Sequence, residues 1–98
     1  MKTVILCGGL GTRLSEETII KPKPMVEIGD YPILWHIMKR YLMYDIKDFY
    51  IALGYKGDYI KNYFINYRNK MSDFNIDFSN SNVNYINNFT EDWKVNLI

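Results

Sequence analysis

Gly8, Gly9 and Gly11, followed by Thr12, Arg13 and Leu14, come directly after the apolar run Val4, Ile5, Leu6 and the single cysteine, Cys7. Glycines placed there let the backbone turn sharply and bring several amide donors close to a phosphate that a side chain would keep away. Arg13 adds a planar guanidinium that can hold two phosphate oxygens at once. About ten residues on, Lys23 stands between Pro22 and Pro24, so its ammonium is carried on a stiff, extended segment. The chemistry open to this set is recognition of a polyphosphate. Two plainer readings share the spacing: a strand-ending glycine turn, and Arg13, Lys21 and Lys23 as solvated loop charges.

Two familiar phosphate loops can be tested directly. A P-loop needs Gly-Lys-Ser or Gly-Lys-Thr after its second glycine, but Gly11 is followed by Thr12 and Arg13. The dinucleotide fingerprint finds its first two glycines in Gly9 and Gly11, but Leu14 holds the third position and no helix-forming run precedes the prolines. An oxidoreductase would also need an acidic ribose ligand after the second strand, where Leu53-Gly54-Tyr55 has none. Other reactive types read as structural. His36 is the only histidine, lies among apolar neighbours and suits packing or hydrogen bonding. Cys7 suits a small buried filler rather than a nucleophile. The nine tyrosines suit core and oligomer contacts better than base stacking.

The elements that must position the loop follow from hydrophobic pattern. Val4 to Leu6, ended by glycines, predicts a short, fully buried parallel strand. The loop then runs to about Pro24, since Lys21-Pro22-Lys23-Pro24 cannot be helix interior. Ile33, Leu34, Ile37, Met38, Tyr41 and Leu42 form a helical stripe with Pro32 at its first turn. Phe49 to Leu53 predicts a second buried strand, and Ile60, Phe64 and Tyr67 a second helix beginning near Asp58. Strand, helix, strand, helix favours an open parallel sheet, whose ligands sit at the carboxyl ends of its strands. Beyond Met71, the alternation of Phe74, Ile76 and Phe78, the polar turn Ser79-Asn80-Ser81-Asn82, and the runs Val83 to Ile86 and Trp93 to Ile98 predict further short strands.

Composition narrows the classes. Ninety-eight residues, 48% hydrophobic, with a formal net charge of +1, describe one folded unit spanning 1–98 rather than a disordered chain. That charge argues against nucleic acid as partner, and no stretch approaches the length of a membrane span. One cysteine excludes an internal disulfide and fits a cytoplasmic setting.

Gly8-Gly9-Leu10-Gly11-Thr12-Arg13-Leu14, Lys21-Pro22-Lys23-Pro24-Met25-Val26 and Pro32-Ile33-Leu34-Trp35-His36-Ile37-Met38 together resemble the sugar-phosphate nucleotidyltransferases. Ser15-Glu16-Glu17-Thr18, Trp35-His36-Ile37-Met38 and Gly54-Tyr55-Lys56-Gly57 look most like the branch that transfers a cytidylyl group to glucose 1-phosphate, with uridylyl and thymidylyl relatives as alternatives. The resemblance covers nearly the whole chain and implies an incomplete α/β fold, a Rossmann-like, mostly parallel open sheet with flanking helices. It implies CTP and a sugar 1-phosphate as ligands, with CDP-glucose and pyrophosphate as products. Leu6, Gly8, Gly9, Gly11, Thr12, Arg13 and Lys23 would bind the nucleotide, with Gly8 and Gly9 against the base. Gly11, Thr12 and Arg13 would cradle the triphosphate, and Arg13 and Lys23 would be catalytic. Glu27 could orient Lys23 or Arg13, or be a surface carboxylate beside a basic loop. Family members are longer. The magnesium ligands are expected in the part this chain lacks, since Asp45, Asp48 and Asp58 do not match the family's metal positions. The chain is therefore expected to be the amino-terminal piece of a homo-oligomeric enzyme, inactive by itself; a non-catalytic nucleotide-binding module is the alternative.

Overall fold

The computed structural model describes residues 1–7, 21–87 and 90–98. Strand β1 (Lys2–Leu6) is followed by a single 3-10 turn (Lys23–Met25) and a small antiparallel hairpin of β2 (Glu27–Ile28) and β3 (Tyr31–Pro32). Helix α1 (Ile33–Leu42), strand β4 (Asp48–Ala52) and helix α2 (Gly57–Met71) come next. An antiparallel ribbon of β5 (Asp73–Asp77) and β6 (Asn82–Asn87) precedes the last strand, β7 (Lys94–Leu97).

Strands β1, β4 and β7 form a parallel sheet in that spatial order, with Val4 beside Tyr50 and Tyr50 beside Asn96. This is the open α/β arrangement expected from the alternation of elements. Side chains on a strand alternate between faces, so Phe49 and Ile51 of β4 share one face, and both are fully buried. Leu34 and Met38 of α1 and Ile60 of α2 join them in one cluster with Cys7 and Met25. Both helices therefore cover the same face. Successive right-handed crossovers that advance in one direction across a sheet give that result.

The second face explains where the expectation of a fully buried first strand fails. Val4 and Leu6 are 64% and 81% exposed, while Ile5 turns inward against the cluster. Three consecutive apolar residues leave the choice of period open, and only the placement of the helices decides which of them is covered.

Helix α1 keeps Leu34 and Met38 of the predicted stripe innermost, while Ile37 and Tyr41 are 37% and 38% exposed, because the sheet covers a narrower face than the stripe. Pro32 ends β3 and caps the helix at φ −61°, one residue before it begins. Burial of two such side chains contributes roughly 1.5–3 kcal/mol each. Helix α2 starts at Gly57, and Lys56 before it is left-handed at φ 53°. A Cβ on Gly57 would stand 3.0 Å from Leu53 Cβ, so glycine is what lets the helix start this close to the end of β4. In the ribbon, the predicted polar turn is built by Asp77, whose Oδ1 accepts from Ser79 N at 2.9 Å, and by Asn80, whose Oδ1 accepts from Asn82 N at 3.0 Å.

Candidate functional site

The carboxyl edge of the parallel sheet is built from the last residues of its strands. Cys7 N donates to Ala52 O at 2.9 Å, Leu53 N to Ile98 O at 2.9 Å, and Ile98 N to Ile51 O at 3.1 Å, so the ladder runs unbroken to this edge. Leu6 is the last residue of β1, with its side chain on the open face. Gly8, Gly9, Gly11, Thr12 and Arg13 lie outside the described residues.

Lys23 sits on the 3-10 turn. Pro22 at φ −66° leads into it and is fully buried, and Met25, two residues after the lysine, is 1% exposed in the same cluster as Cys7. Met25 N donates to Pro22 O at 2.9 Å and Val26 N to Lys23 O at 3.2 Å, which closes the turn. An exposed ammonium is thus held between two anchors sunk in the core. Among the described residues Lys23 has no ion pair. Its neighbour Lys21 does: Lys21 Nζ lies 3.7 Å from Glu27 Oε1. Glu27, considered as an orienting group for Lys23 or Arg13, is paired with Lys21.

A second cationic element stands at the same edge and was not singled out as a site from sequence. A cleft of about 400 Å³ is lined by Leu53, Gly54, Lys56, Gly57, Asp58, Lys61 and Ile98, at the ends of β4 and β7 and the start of α2. Gly57 N donates to Gly54 O at 3.0 Å, which folds the turn that brings Lys56 there. The local signal was present in Gly54-Tyr55-Lys56-Gly57, a glycine turn between a strand and a helix.

The reactive side chains set aside as structural are structural in place. Cys7 is buried, and burial pushes its thiol above the ordinary value, away from the thiolate a nucleophile needs. His36 Nε2 donates to Ile28 O at 2.9 Å and ties α1 to the β2–β3 hairpin. Its ring meets Trp35 edge-on at 5.0 Å, and Trp35 in turn stacks on Tyr31 at 3.9 Å.

A polar network missed from sequence joins both helices to the segment before β7. Trp35 Nε1 donates to the Tyr67 hydroxyl at 2.8 Å, and that hydroxyl donates to Glu91 Oε1 at 2.7 Å. Lys39 Nζ donates to Glu91 Oε2 at 3.1 Å. Burial by itself raises the pKa of Glu91, but hydrogen bonds from Tyr67, its own backbone and Lys39 outweigh it and hold the carboxyl below its ordinary value. Tyr67 is driven upward, by burial first and then by the carboxylate it serves. These partners are far apart in the chain, so no local pattern announces them.

A family model for nucleotidyl transferases matches residues 2–91. The chain belongs to the nucleotidyl transferase family. Its likeness to individual members runs end to end. It is 58% identical over all 98 residues to the glucose-1-phosphate cytidylyltransferase of Salmonella typhimurium and 48% identical over the same 98 to a probable glucose-1-phosphate cytidylyltransferase of Bacillus subtilis. It is also 48% identical over 66 residues, 65% of this chain, to a D-glycero-alpha-D-manno-heptose 1-phosphate guanylyltransferase of Campylobacter jejuni, of which the match covers 29%. The chain spans 38% of the length of the Salmonella and Bacillus relatives. Membership of the nucleotidyl transferase family sets the oxidoreductase reading aside.

Among the described residues no group of three or more His, Cys, Asp or Glu could hold a metal ion. Asp45 is engaged by Lys47 at 3.3 Å, and Asp48 accepts from Asn96 at 3.1 Å. The described residues thus do not fit a magnesium site. No helix among them is long and apolar enough to cross a membrane.

Proposed function

We propose that this chain, as one nucleotide-binding unit spanning 1–98, is the nucleotide-binding part of a cytoplasmic, homo-oligomeric enzyme that transfers CMP from CTP to glucose 1-phosphate, giving CDP-glucose and pyrophosphate. The observation that carries the reading is the likeness of all 98 residues, at 58% identity, to a protein named for that reaction. In this reading Leu6 belongs to the nucleotide site, the Gly8 and Gly9 backbone lies against the base, and Gly11, Thr12 and Arg13 cradle the triphosphate. Lys23 holds the reacting phosphates from its anchored turn. The sugar phosphate oxygen attacks the α-phosphorus in line, and the polypeptide contributes positioning and neutralisation of charge. Magnesium neutralises phosphate charge in such transfers, and its ligands belong to polypeptide beyond these residues.

By itself the chain then binds CTP without turning it over. Calorimetric titration with CTP, UTP and dTTP in magnesium tests the base. Selective CTP binding supports the reading, and equal affinity for all three removes the cytidylyl assignment. Assay of a polypeptide of the relatives' full length for pyrophosphate release from CTP and glucose 1-phosphate tests the transfer itself.

A further inference from the structure

Lys56 breaks two local rules at once. It is left-handed at φ 53°, a conformation that disfavours any residue with a Cβ. It also stands at the N-cap of α2, where Ser, Thr, Asp or Asn would accept from the first turn, and its side chain makes no capping hydrogen bond. A residue that suits neither the backbone nor the cap is expected where its side chain serves a ligand.

What the lysine does supply is charge at a cavity. Lys56 and Lys61 line the cleft of about 400 Å³ at the ends of β4 and β7, with Asp58 as the one carboxylate side chain on its wall. Both lysines are exposed, and among the described residues neither has an ion pair, whereas Lys21, Lys39 and Lys47 each have one. The Lys56 ammonium lies instead 5.8 Å from the centre of the Tyr55 ring, a contact that uses its charge but not all of its N–H donors. Gly54 and Gly57 keep side chains out of the cleft, and Leu53 and Ile98 supply its apolar part. The cleft adjoins the start of the glycine loop. Ala52 O accepts from Cys7 N at 2.9 Å, so the chain leaves β1 and β4 side by side, about 5 Å apart, at the edge where open α/β sheets hold their ligands.

We propose that this cleft binds a phosphoryl group, held by the ammoniums of Lys56 and Lys61. Two cations on a cavity of small-molecule size outweigh the single carboxylate and suit a doubly charged anion, which lysine holds as a point charge. That group can come from two sources: the polyphosphate of a nucleotide on the glycine loop, or a separate phosphorylated molecule. The inference goes beyond the CTP reading and does not require it.

Pyrophosphate titrated into the isotope-labelled 98-residue chain, followed by amide chemical shifts, tests this. Saturable shifts are expected at residues 54–61. Lys56→Gln and Lys61→Gln are each expected to weaken that binding at least about tenfold, the loss of a charge-assisted hydrogen bond. Lys70→Gln removes the same charge from the far end of α2 and is expected to leave it unchanged. Lys56→Gly is the fold control: glycine accepts the left-handed backbone, so thermal stability is expected to hold or rise while binding falls. Repeating the titration in excess CTP separates the sources, with CTP occupancy read from the glycine-loop amides of the same spectra, so that a failure of the CTP reading shows there and not at the cleft. Unchanged pyrophosphate affinity beside bound CTP identifies a separate ligand, and competition identifies the nucleotide's own phosphates. Absence of shifts at residues 54–61 through millimolar pyrophosphate, or shifts undiminished when both lysines are replaced by glutamine, overturns the proposal.

Discussion

Tyr67 of α2 and Glu91 ahead of β7 are joined by a hydrogen bond of 2.7 Å. The same hydroxyl accepts from Trp35 of α1, and the same carboxylate accepts from Lys39. One tyrosine therefore ties together the two helices that cover the sheet and the segment that leads into its third strand. Its ring also lies 6.0 Å from that of Trp93, whose Nε1 is buried with no hydrogen-bond partner among the described residues.

Tyr67→Phe keeps the ring and removes the hydroxyl, leaving Trp35 Nε1 without an acceptor and Glu91 Oε1 without a donor. The expected loss is about 1–3 kcal/mol, the cost of stranding partly buried polar groups. Urea unfolding followed by tryptophan fluorescence measures it, and a loss below half of the lower figure would mean that water replaces the hydroxyl.

Glu91 also makes stability depend on pH. Its folded pKa is held below the ordinary 4.5, so its contribution is fully present above that value and is lost as pH falls through the folded pKa. Asp92 and Asp77 are shifted the same way, by a hydrogen bond from Lys47 and by hydrogen bonds from Ser79 respectively. Glu91→Gln should therefore flatten, without abolishing, the acid limb of a stability profile recorded below pH 5. An unchanged slope would assign that limb to the two aspartates.

Lys23→Ala is expected to weaken CTP binding at least about tenfold, near 1.4 kcal/mol, while leaving thermal stability within roughly 0.5 kcal/mol of the wild type. The separation arises because Pro22 and Met25, rather than the lysine, hold the turn in the core. Titration calorimetry and thermal melts on the same samples read the two effects, and a large fall in melting temperature would make Lys23 a structural residue.

Gly57→Ala is expected to destabilise the chain by about 1 kcal/mol or more, although alanine favours helix over glycine by about that amount. The added Cβ meets Leu53 Cβ at 3.0 Å, which forces α2 and the end of β4 apart. A stabilised variant in thermal unfolding would show that the contact relaxes freely.

Cys7 should react slowly with a thiol reagent in the folded chain and rapidly in denaturant, because burial both excludes the reagent and raises the thiol's pKa. Ellman's reagent gives both rates, and equal rates would mean that this end of β1 opens readily.

Much of the architecture is local in origin and could be read directly. The Leu34 and Met38 positions of α1, the strand about Phe49 and Ile51 and the start of α2 near Asp58 follow from periodicity, proline and glycine, and the Asp77 to Asn82 turn from side-chain hydrogen bonds within a few residues. The glycine loop and the Lys-Pro-Lys-Pro segment carry a family signature in consecutive residues, and the match over residues 2–91 agrees with it.

What could not be read depends on contacts between distant residues. That Ile5 is covered while Val4 and Leu6 are exposed follows from both helices packing on one face, which no three-residue run encodes. Tyr67 found Glu91 only once α2 and the approach to β7 were packed together. The sequence by itself determined most of the strands and helices and the family signature, since those rest on local backbone preferences and consecutive residues. The tertiary structure decided which face is covered and which charges meet, since burial and hydrogen bonding depend on distance in space and not on separation along the chain.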